Sequence, residues 1–268
     1  MLRHSALLWS LACAGALLLA QDQQPVVAQA LQSTRIVHCP DLAPFDAAAP
    51  QEREKALTRF VEVLRHLPVG EAPARSLGLT IGTSQRGPVL MARGTQEQLA
   101  LVTRAVQQLS VPAATGTRLQ ITLARVPMVV AQAHRLLPGA TLAAEPAALS
   151  ELLRDVGRQK GSVHNLTEVV TAPLAPFTRQ AAVAAAAADR RPLRVRGEVV
   201  LLGEGEVALA LDVGRGALGG ETPRAASTVA KPLFRLAAGK SAMMMALEGE
   251  TALVVIAHCL DVPAAPGK

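Results

Sequence analysis

The segment LRVRGEVVLLGEGEVALALDVG, residues 193–214, constrains the fold more than any other part of the chain. Apolar residues alternate with other residues on both sides of Gly203, Glu204 and Gly205. This period of two is the pattern of a strand with one buried face, and a Gly-x-Gly link between two such segments is typical of a tight β-hairpin. The segment therefore predicts a β-hairpin in the C-terminal, β-rich part of the chain.

Two other segments have helical spacing. The segment PQEREKALTRFVEVLRHL predicts a helix from about Pro50 to Leu67, and TQEQLALVTRAVQQLSV predicts a second amphipathic helix that begins at a Thr95 cap with Gln98 three residues later. Between them, LGLTIGTSQRGPVLMARG predicts two short strands around a turn. The fold class is therefore α+β, with a small N-terminal domain of two helices on a short sheet before a β-rich C-terminal domain.

The N-terminus has the pattern of an export signal. One Arg and one His precede an uncharged apolar run from Ala6 to Ala20, and Ala28 and Ala30 offer an A-x-A cleavage site. We therefore expect residues 1–30 to be a signal peptide and the mature protein to be exported, to the periplasm or the outer membrane. Beyond this run no apolar stretch reaches membrane-spanning length, so we expect no transmembrane helix in the mature chain.

The composition disfavours one class of partner. The formal net charge is +6, but the basic residues are scattered, and the chain has no Tyr, one Trp and 2% aromatic residues. Nucleic-acid binding through base stacking is therefore not expected. The expected partners are a second copy of the chain or another protein of the cell envelope.

A short motif occurs near both ends of the chain: His38, Cys39, any residue and Asp41, and again His258, Cys259, any residue and Asp261. Cys39 and Cys259 can form a disulfide, which would stabilise the fold by roughly 5 kcal/mol in the chain-entropy model. They can also remain two buried thiols, or join the histidines in a zinc site. Adjacent strand residues point to opposite faces, so His and Cys would not converge on one ion without a bulge, and we predict no metal site.

Several motifs that suggest an enzyme fail on their context. Gly214–Gly219 fits G-x-G-x-x-G, but Gly-Glu-Thr-Pro follows and cannot promptly open the helix that a dinucleotide site needs. Ala237–Ser241 ends like a phosphate loop, but the first glycine of that motif would fall at Phe234, so we predict a turn. A cysteine nucleophile beside His would need an orienting third group. We predict no enzyme activity, no catalytic residue and no cofactor.

The isolated histidines and the methionine run have structural interpretations. We interpret His66 as a charge at a helix C-terminus, His134 as a surface or helix-face residue and His164 as a loop residue. Strand alternation places Met243 and Met245 on one face, which indicates core packing.

The second helix and the strand before it carry a family pattern, a strand that ends in Gly-Thr and then xEQLALVxxxxxxL. The matching residues are Gly94, Thr95, Glu97, Gln98, Leu99, Val102 and Leu109. This unit resembles the ring-building N-domains of secretins, the multimeric outer-membrane channels of secretion systems and type IV pili. The resemblance continues through the strand TRLQITLARVPM, the helix PAALSELLRDVG, a strand matched at Val170, Ala172, Pro173, Gln180 and Ala181, and the last hairpins. It covers about residues 35–263.

Two features differ from a full secretin. The interval from Met128 to Glu168 is too short for the gate and lip hairpins, and Ala257-His258-Cys259 stands where secretins carry Gly-Gly-Leu. The resemblance therefore implies a shortened periplasmic protein, with a secretin N-domain-like unit at 31–114, a β-rich domain at 115–263 and a tail at 264–268.

The function that the resemblance implies is structural: a non-enzymatic component of the envelope that forms rings by packing an N-domain helix laterally against a neighbour's sheet. Gln96, Arg104 and Gln107, on the exposed face of the second helix, are the candidate contacts, and the alternative interpretation of these three residues is a solvated helix face. The alternative is a soluble, monomeric periplasmic binding domain with no channel role.

Overall fold

The predicted hairpin lies at the centre of the structure. Its strands are β8 (Leu193–Gly203) and β9 (Glu206–Arg215), antiparallel, with Val199 opposite Leu209. Gly203, Glu204 and Gly205 all have positive φ, between 56° and 85°. This backbone conformation is the one that a two-residue hairpin turn requires, and glycine adopts it without strain. The alternation and the Gly-x-Gly link therefore predicted the hairpin correctly.

The computed structural model describes residues 33–38, 50–69, 77–84, 87–109, 116–171, 174–181, 192–215 and 228–262. Its helices are α1 (Pro50–His66), α2 (Gln96–Gln108), α3 (Met128–Ala133) and α4 (Pro146–Arg158). The other strands are β1 (Ser33–His38), β2 (Gly78–Ser84), β3 (Gly87–Gly94), β4 (Thr117–Pro127), β5 (Thr141–Ala144), β6 (Ser162–Thr171), β7 (Phe177–Ala181), β10 (Thr228–Ala230), β11 (Leu233–Ala237), β12 (Ser241–Glu248) and β13 (Thr251–Asp261).

These strands form three antiparallel sheets. The first sheet has the order β1-β3-β2. The second has the order β10-β9-β8-β7, with β11 also paired to β9, and the third has the order β5-β12-β13-β4-β6. The inner faces of the second and third sheets pack together as a sandwich around Phe234, Val199, Leu123 and Val255, each at most 1% exposed. The sandwich buries one apolar face of the hairpin.

Helices α1 and α2 fill the space between the first sheet and the outer face of the second. Phe60 and Leu64 of α1, Val102 of α2 and Val200 and Leu202 of β8 belong to one buried cluster. The cluster extends on its other side to Leu90 and Ala92 of the first sheet. The helix layer is therefore covered on both sides, although its two helices are short.

The second helix begins as predicted. The Thr95 hydroxyl accepts a hydrogen bond from the Gln98 backbone N–H at 3.3 Å, and the Gln98 side chain accepts one from the Thr95 N–H at 2.9 Å. This capping box satisfies two backbone donors that the first turn of a helix leaves without a partner.

Helices α3 and α4 cover the outer face of the third sheet. Val130, Leu152 and Val156 of these helices pack with Val254 and Met245 of the sheet. Within the described ranges, no helix combines the length and the apolar character that crossing a lipid bilayer requires.

The α+β fold class is confirmed, and so is the order of elements that the resemblance implied for the described part of the chain. His164, which we interpreted as a loop residue, lies on β6 opposite Leu123, so that interpretation was wrong: β6 begins at Ser162, earlier than the apolar pattern indicated. The domain boundary expected between residues 114 and 115 stays a prediction. One buried cluster contains residues from both sides of it, on α1, α2 and the second sheet. The signal peptide and the tail lie outside the described residues.

Candidate functional site

A concave surface lies where the helix layer stops covering the second sheet. Along one face of β8, the residues change from Val200 and Leu202, buried beneath the helices, to Glu198, Arg196 and Arg194. Beside α1 this change leaves an open cleft of about 840 Å³. Its charged lining includes Arg59, Glu62, Arg196, Glu198, Asp212 and Lys231. A volume of this size lies within the range of ligand sites.

The end of the cleft near the helix layer contains a buried carboxylate. Glu198 is 8% exposed, and its Oε2 lies 3.4 Å from Nε of Arg59 on α1. Its other oxygen, Oε1, is buried and has no hydrogen-bond partner among the described residues. Burial raises the pKa of Glu198 above its usual range, and the positive charges of Arg59 and Arg196 only partly oppose this. The pair therefore links α1 to the second sheet with one acceptor left unsatisfied.

The cleft continues along the outer face of the second sheet. A smaller hollow of about 200 Å³ shares Arg196 and Asp212 with it and adds Arg194, Gly214 and Thr228. We call the cleft and this hollow the second-sheet groove. Asp212 lies opposite Arg196 on the neighbouring strand and accepts a hydrogen bond from the Thr228 hydroxyl at 3.2 Å. The groove is thus open, and charged side chains and apolar residues alternate in its lining.

The second copy of the repeated His-Cys motif lies wholly within the described residues. Cys259 is fully buried in the sandwich core. The neighbouring His258 shares a hydrogen bond with Ser241, with 2.8 Å between Nδ1 of the ring and the hydroxyl oxygen. Burial, and next the Asp261 carboxylate, raise the pKa of the Cys259 thiol to about 11. A thiol so rarely ionised at neutral pH is a poor nucleophile. Cys39 and Asp41 lie outside the described residues, so the disulfide between Cys39 and Cys259 stays a prediction.

The motif that ends like a phosphate loop forms a turn, and the methionine run packs in a core, as their sequence context predicted. Gly239 lies in the turn between β11 and β12 with a φ of 73°, and its N–H donates to the Cys259 carbonyl. Met245 packs between the third sheet and its helices with Met243 beside it, as alternation predicted. Residues 216–219 of the G-x-G-x-x-G motif lie outside the described residues.

Two histidines lie close to carboxylates of their own chain. His66, in the last turn of α1, lies 3.8 Å from Glu62 and is exposed, as interpreted. His134 ends α3, and its Nε2 lies 3.2 Å from Oδ2 of Asp155, which connects α3 to α4. Within the described part of the chain, no three His, Cys, Asp or Glu side chains are placed to hold a metal ion together.

The three candidate contacts on α2 differ in their surroundings. Gln96 and Gln107 are exposed. Arg104 is half-buried and forms an ion pair with Glu204 in the turn of the central hairpin. Their role as contacts between copies stays a prediction.

Sequence reasoning missed Arg59, Glu198 and the groove. A signal was present in the hairpin, since residues 194–202 of one strand face change from charged to apolar. A face that is half charged and half apolar predicts partial cover by another layer. The pattern alone does not say that α1 supplies this cover.

Of the comparisons with known proteins, the one with solved structures gives matches. No family model matches the chain, and no curated protein does either. The secretin domain of InvG from the Salmonella SPI-1 injectisome matches 88% of this chain over 90% of its own, at 10% identity and a TM-score of 0.27. The V. cholerae type IV competence pilus secretin PilQ matches 93% of this chain over 81% of its own, at 11% identity and a TM-score of 0.25. The type II secretin GspD from enteropathogenic Escherichia coli matches 84% of this chain over 86% of its own, at 9% identity and a TM-score of 0.24.

The matched structures are secretins. At these identities and TM-scores the matches do not establish what the chain does, so its function has to be inferred from its own geometry.

Proposed function

We propose that this chain is a non-enzymatic, exported component of the cell envelope, a shortened secretin-like protein whose two-helix unit packs against copies of itself. The observation that carries the proposal is the outer face of the first sheet. Ile36 and Met91 lie opposite each other on β1 and β3, facing away from the helices, and are 61% and 40% exposed. Adjacent exposed apolar side chains on a sheet face are typical of an interaction surface.

Lateral packing would bring this face against the exposed side of α2 in a neighbouring copy, where Gln96 and Gln107 lie. Such a contact is heterologous, and it closes into a ring when the rotation between copies permits. The non-enzymatic part of the proposal is supported by the buried Cys259 and by the turn at Gly239.

Light scattering behind size-exclusion chromatography on residues 31–268 tests the assembly. We expect one large, discrete species, and we expect Ile36→Lys together with Met91→Lys to reduce it to a monomer, since two charges would be buried in the contact. Leu137→Lys is the matched control, because Leu137 is 63% exposed but follows α3 on the other outer layer. A wild-type monomer would contradict the assembly, and a change in size with reductant would show that the cysteines pair.

A second candidate function is favoured by one observation, the open second-sheet groove. A monomeric periplasmic binding domain would use such a groove without forming a ring. A monomeric wild-type protein in the scattering experiment would favour this function over the first.

A further inference from the structure

The second-sheet groove contains two arginines at alternate positions of one strand. Arg194 and Arg196 occupy alternate positions of β8 and share its outer face. Alternate residues of a strand lie about 6.6 Å apart and point the same way. Gly214 stands opposite Arg194, so no neighbouring side chain covers that arginine on this side. Thr178 and Gln180 flank the two arginines from β7.

The positive charges of the groove are only partly balanced within the described part of the chain, where Arg196 lies near Glu198 and opposite Asp212. Arg194, Arg196 and Lys231 are exposed, and none of them forms an ion pair with a described carboxylate. Arg59 is paired with Glu198, whereas Glu62 is exposed and lies 3.8 Å from His66, which is charged only when protonated. Asp212 forms no ion pair with a described residue, although it accepts a hydrogen bond from Thr228. Three cations outside an ion pair, Arg194, Arg196 and Lys231, thus outnumber the two acids Asp212 and Glu62, and the excess positive charge favours an anionic occupant.

The spacing specifies the form of that occupant. In an extended peptide, side chains at alternate positions also lie about 6.6 Å apart on one face. Two carboxylates placed in this way can meet Arg194 and Arg196 together, whereas carboxylates on adjacent residues point to opposite sides. Arginine suits this role because its planar fork binds a carboxylate through two parallel hydrogen bonds.

We propose that the second-sheet groove binds an extended acidic peptide segment of a partner protein, with carboxylates at alternate positions on Arg194 and Arg196 and a further contact to Lys231. The apolar part of the groove, Pro232 and Leu233 beside α1, contacts the peptide backbone and its uncharged side chains. This site does not depend on ring formation, since it lies on a different face from Ile36 and Met91.

The test uses the mature chain and three fluorescein-labelled peptides. Thr-Glu-Thr-Glu-Thr carries alternate carboxylates, Thr-Glu-Glu-Thr-Thr has the same composition with adjacent carboxylates, and Thr-Gln-Thr-Gln-Thr carries no charged side chain. Fluorescence anisotropy at two salt concentrations is expected to show the tightest binding for the alternating peptide. Arg194→Gln with Arg196→Gln should weaken it about tenfold, the effect expected of two exposed ion pairs. Lys231→Gln should weaken it less.

The control removes two arginines of similar exposure from the opposite outer layer, Arg154→Gln with Arg158→Gln on α4, and should leave binding unchanged. Unchanged circular dichroism and thermal midpoints would show that the variants fold. The proposal would be overturned if the two acidic peptides bound equally tightly, or if neither of them bound. Binding to phosphatidylglycerol vesicles through the same arginines, with no preference for the alternating peptide, would also overturn it and indicate a lipid surface.

Discussion

At the scale of single residues, the buried carboxylate of Glu198 has the clearest energetic consequence. Its pKa is raised, because burial disfavours the charged form more than Arg59 and Arg196 favour it. The folded chain therefore holds this proton more tightly than the unfolded chain does. The favourable contribution to stability is complete below the ordinary Glu pKa of 4.5 and is lost as the pH rises through the higher folded value.

Glu198→Gln removes the charge and keeps the shape. We expect it to raise the free energy of unfolding at pH 8 by roughly 1 kcal/mol, and we expect this gain to disappear as the pH falls to 4.5. Arg59 can turn toward water in the variant, because its side chain is 36% exposed. Urea unfolding at several pH values measures both effects, with the exposed Glu250→Gln as the control. A variant that is less stable than the wild type at every pH would contradict this account.

At the scale of elements, α2 depends on its capping box more than a longer helix would. It has 13 residues, and isolated helices of this length are marginal in water. We expect Thr95→Ala to lower the free energy of unfolding by about 1 kcal/mol, since the Gln98 N–H loses its acceptor. Thr95→Ser should restore most of this loss.

The same substitution later in the helix is the control for the cap. The hydroxyl of Thr103 donates to the Leu99 carbonyl within the helix and caps nothing, so Thr103→Ala should change stability little. Chemical denaturation followed by circular dichroism compares the two variants. Equal effects at Thr95 and Thr103 would show that the cap contributes no specific stability.

At the scale of the whole molecule, one carboxylate joins the two sheets of the sandwich. Glu248 on β12 accepts a hydrogen bond from Arg125 of the third sheet at 2.9 Å and one from Arg215 of the second sheet. Their side chains are 10 to 16% exposed. Because both carboxylate oxygens are used, removal of the charge leaves two largely buried arginines close together.

We therefore expect Glu248→Gln to cost about 3 kcal/mol, the lower end of the range for breaking a buried ion pair. Glu206→Gln is the control, since Glu206 pairs with Arg235 across two neighbouring strands of one sheet and is more exposed. That variant should cost less than about 1 kcal/mol. Similar losses of urea stability in the two variants would indicate that the contact between sheets has no special weight.

The sequence by itself determined the elements whose signals are local. Alternation around Gly203 to Gly205 predicted the central hairpin, and the spacing of apolar residues with Thr95 and Gln98 predicted α2 and its start. These patterns are readable because strand and helix periodicity, turns and caps depend on residues only a few positions apart.

Only the tertiary structure decided which surfaces meet. Glu198 is buried because α1, more than a hundred positions earlier in the chain, brings Arg59 against β8, and Glu248 joins two sheets because Arg125, 123 positions away, reaches it. No local pattern carries this information, since the choice of covering layer depends on how whole faces fit together. The groove, and the cations that we propose as a peptide site, exist where this cover ends.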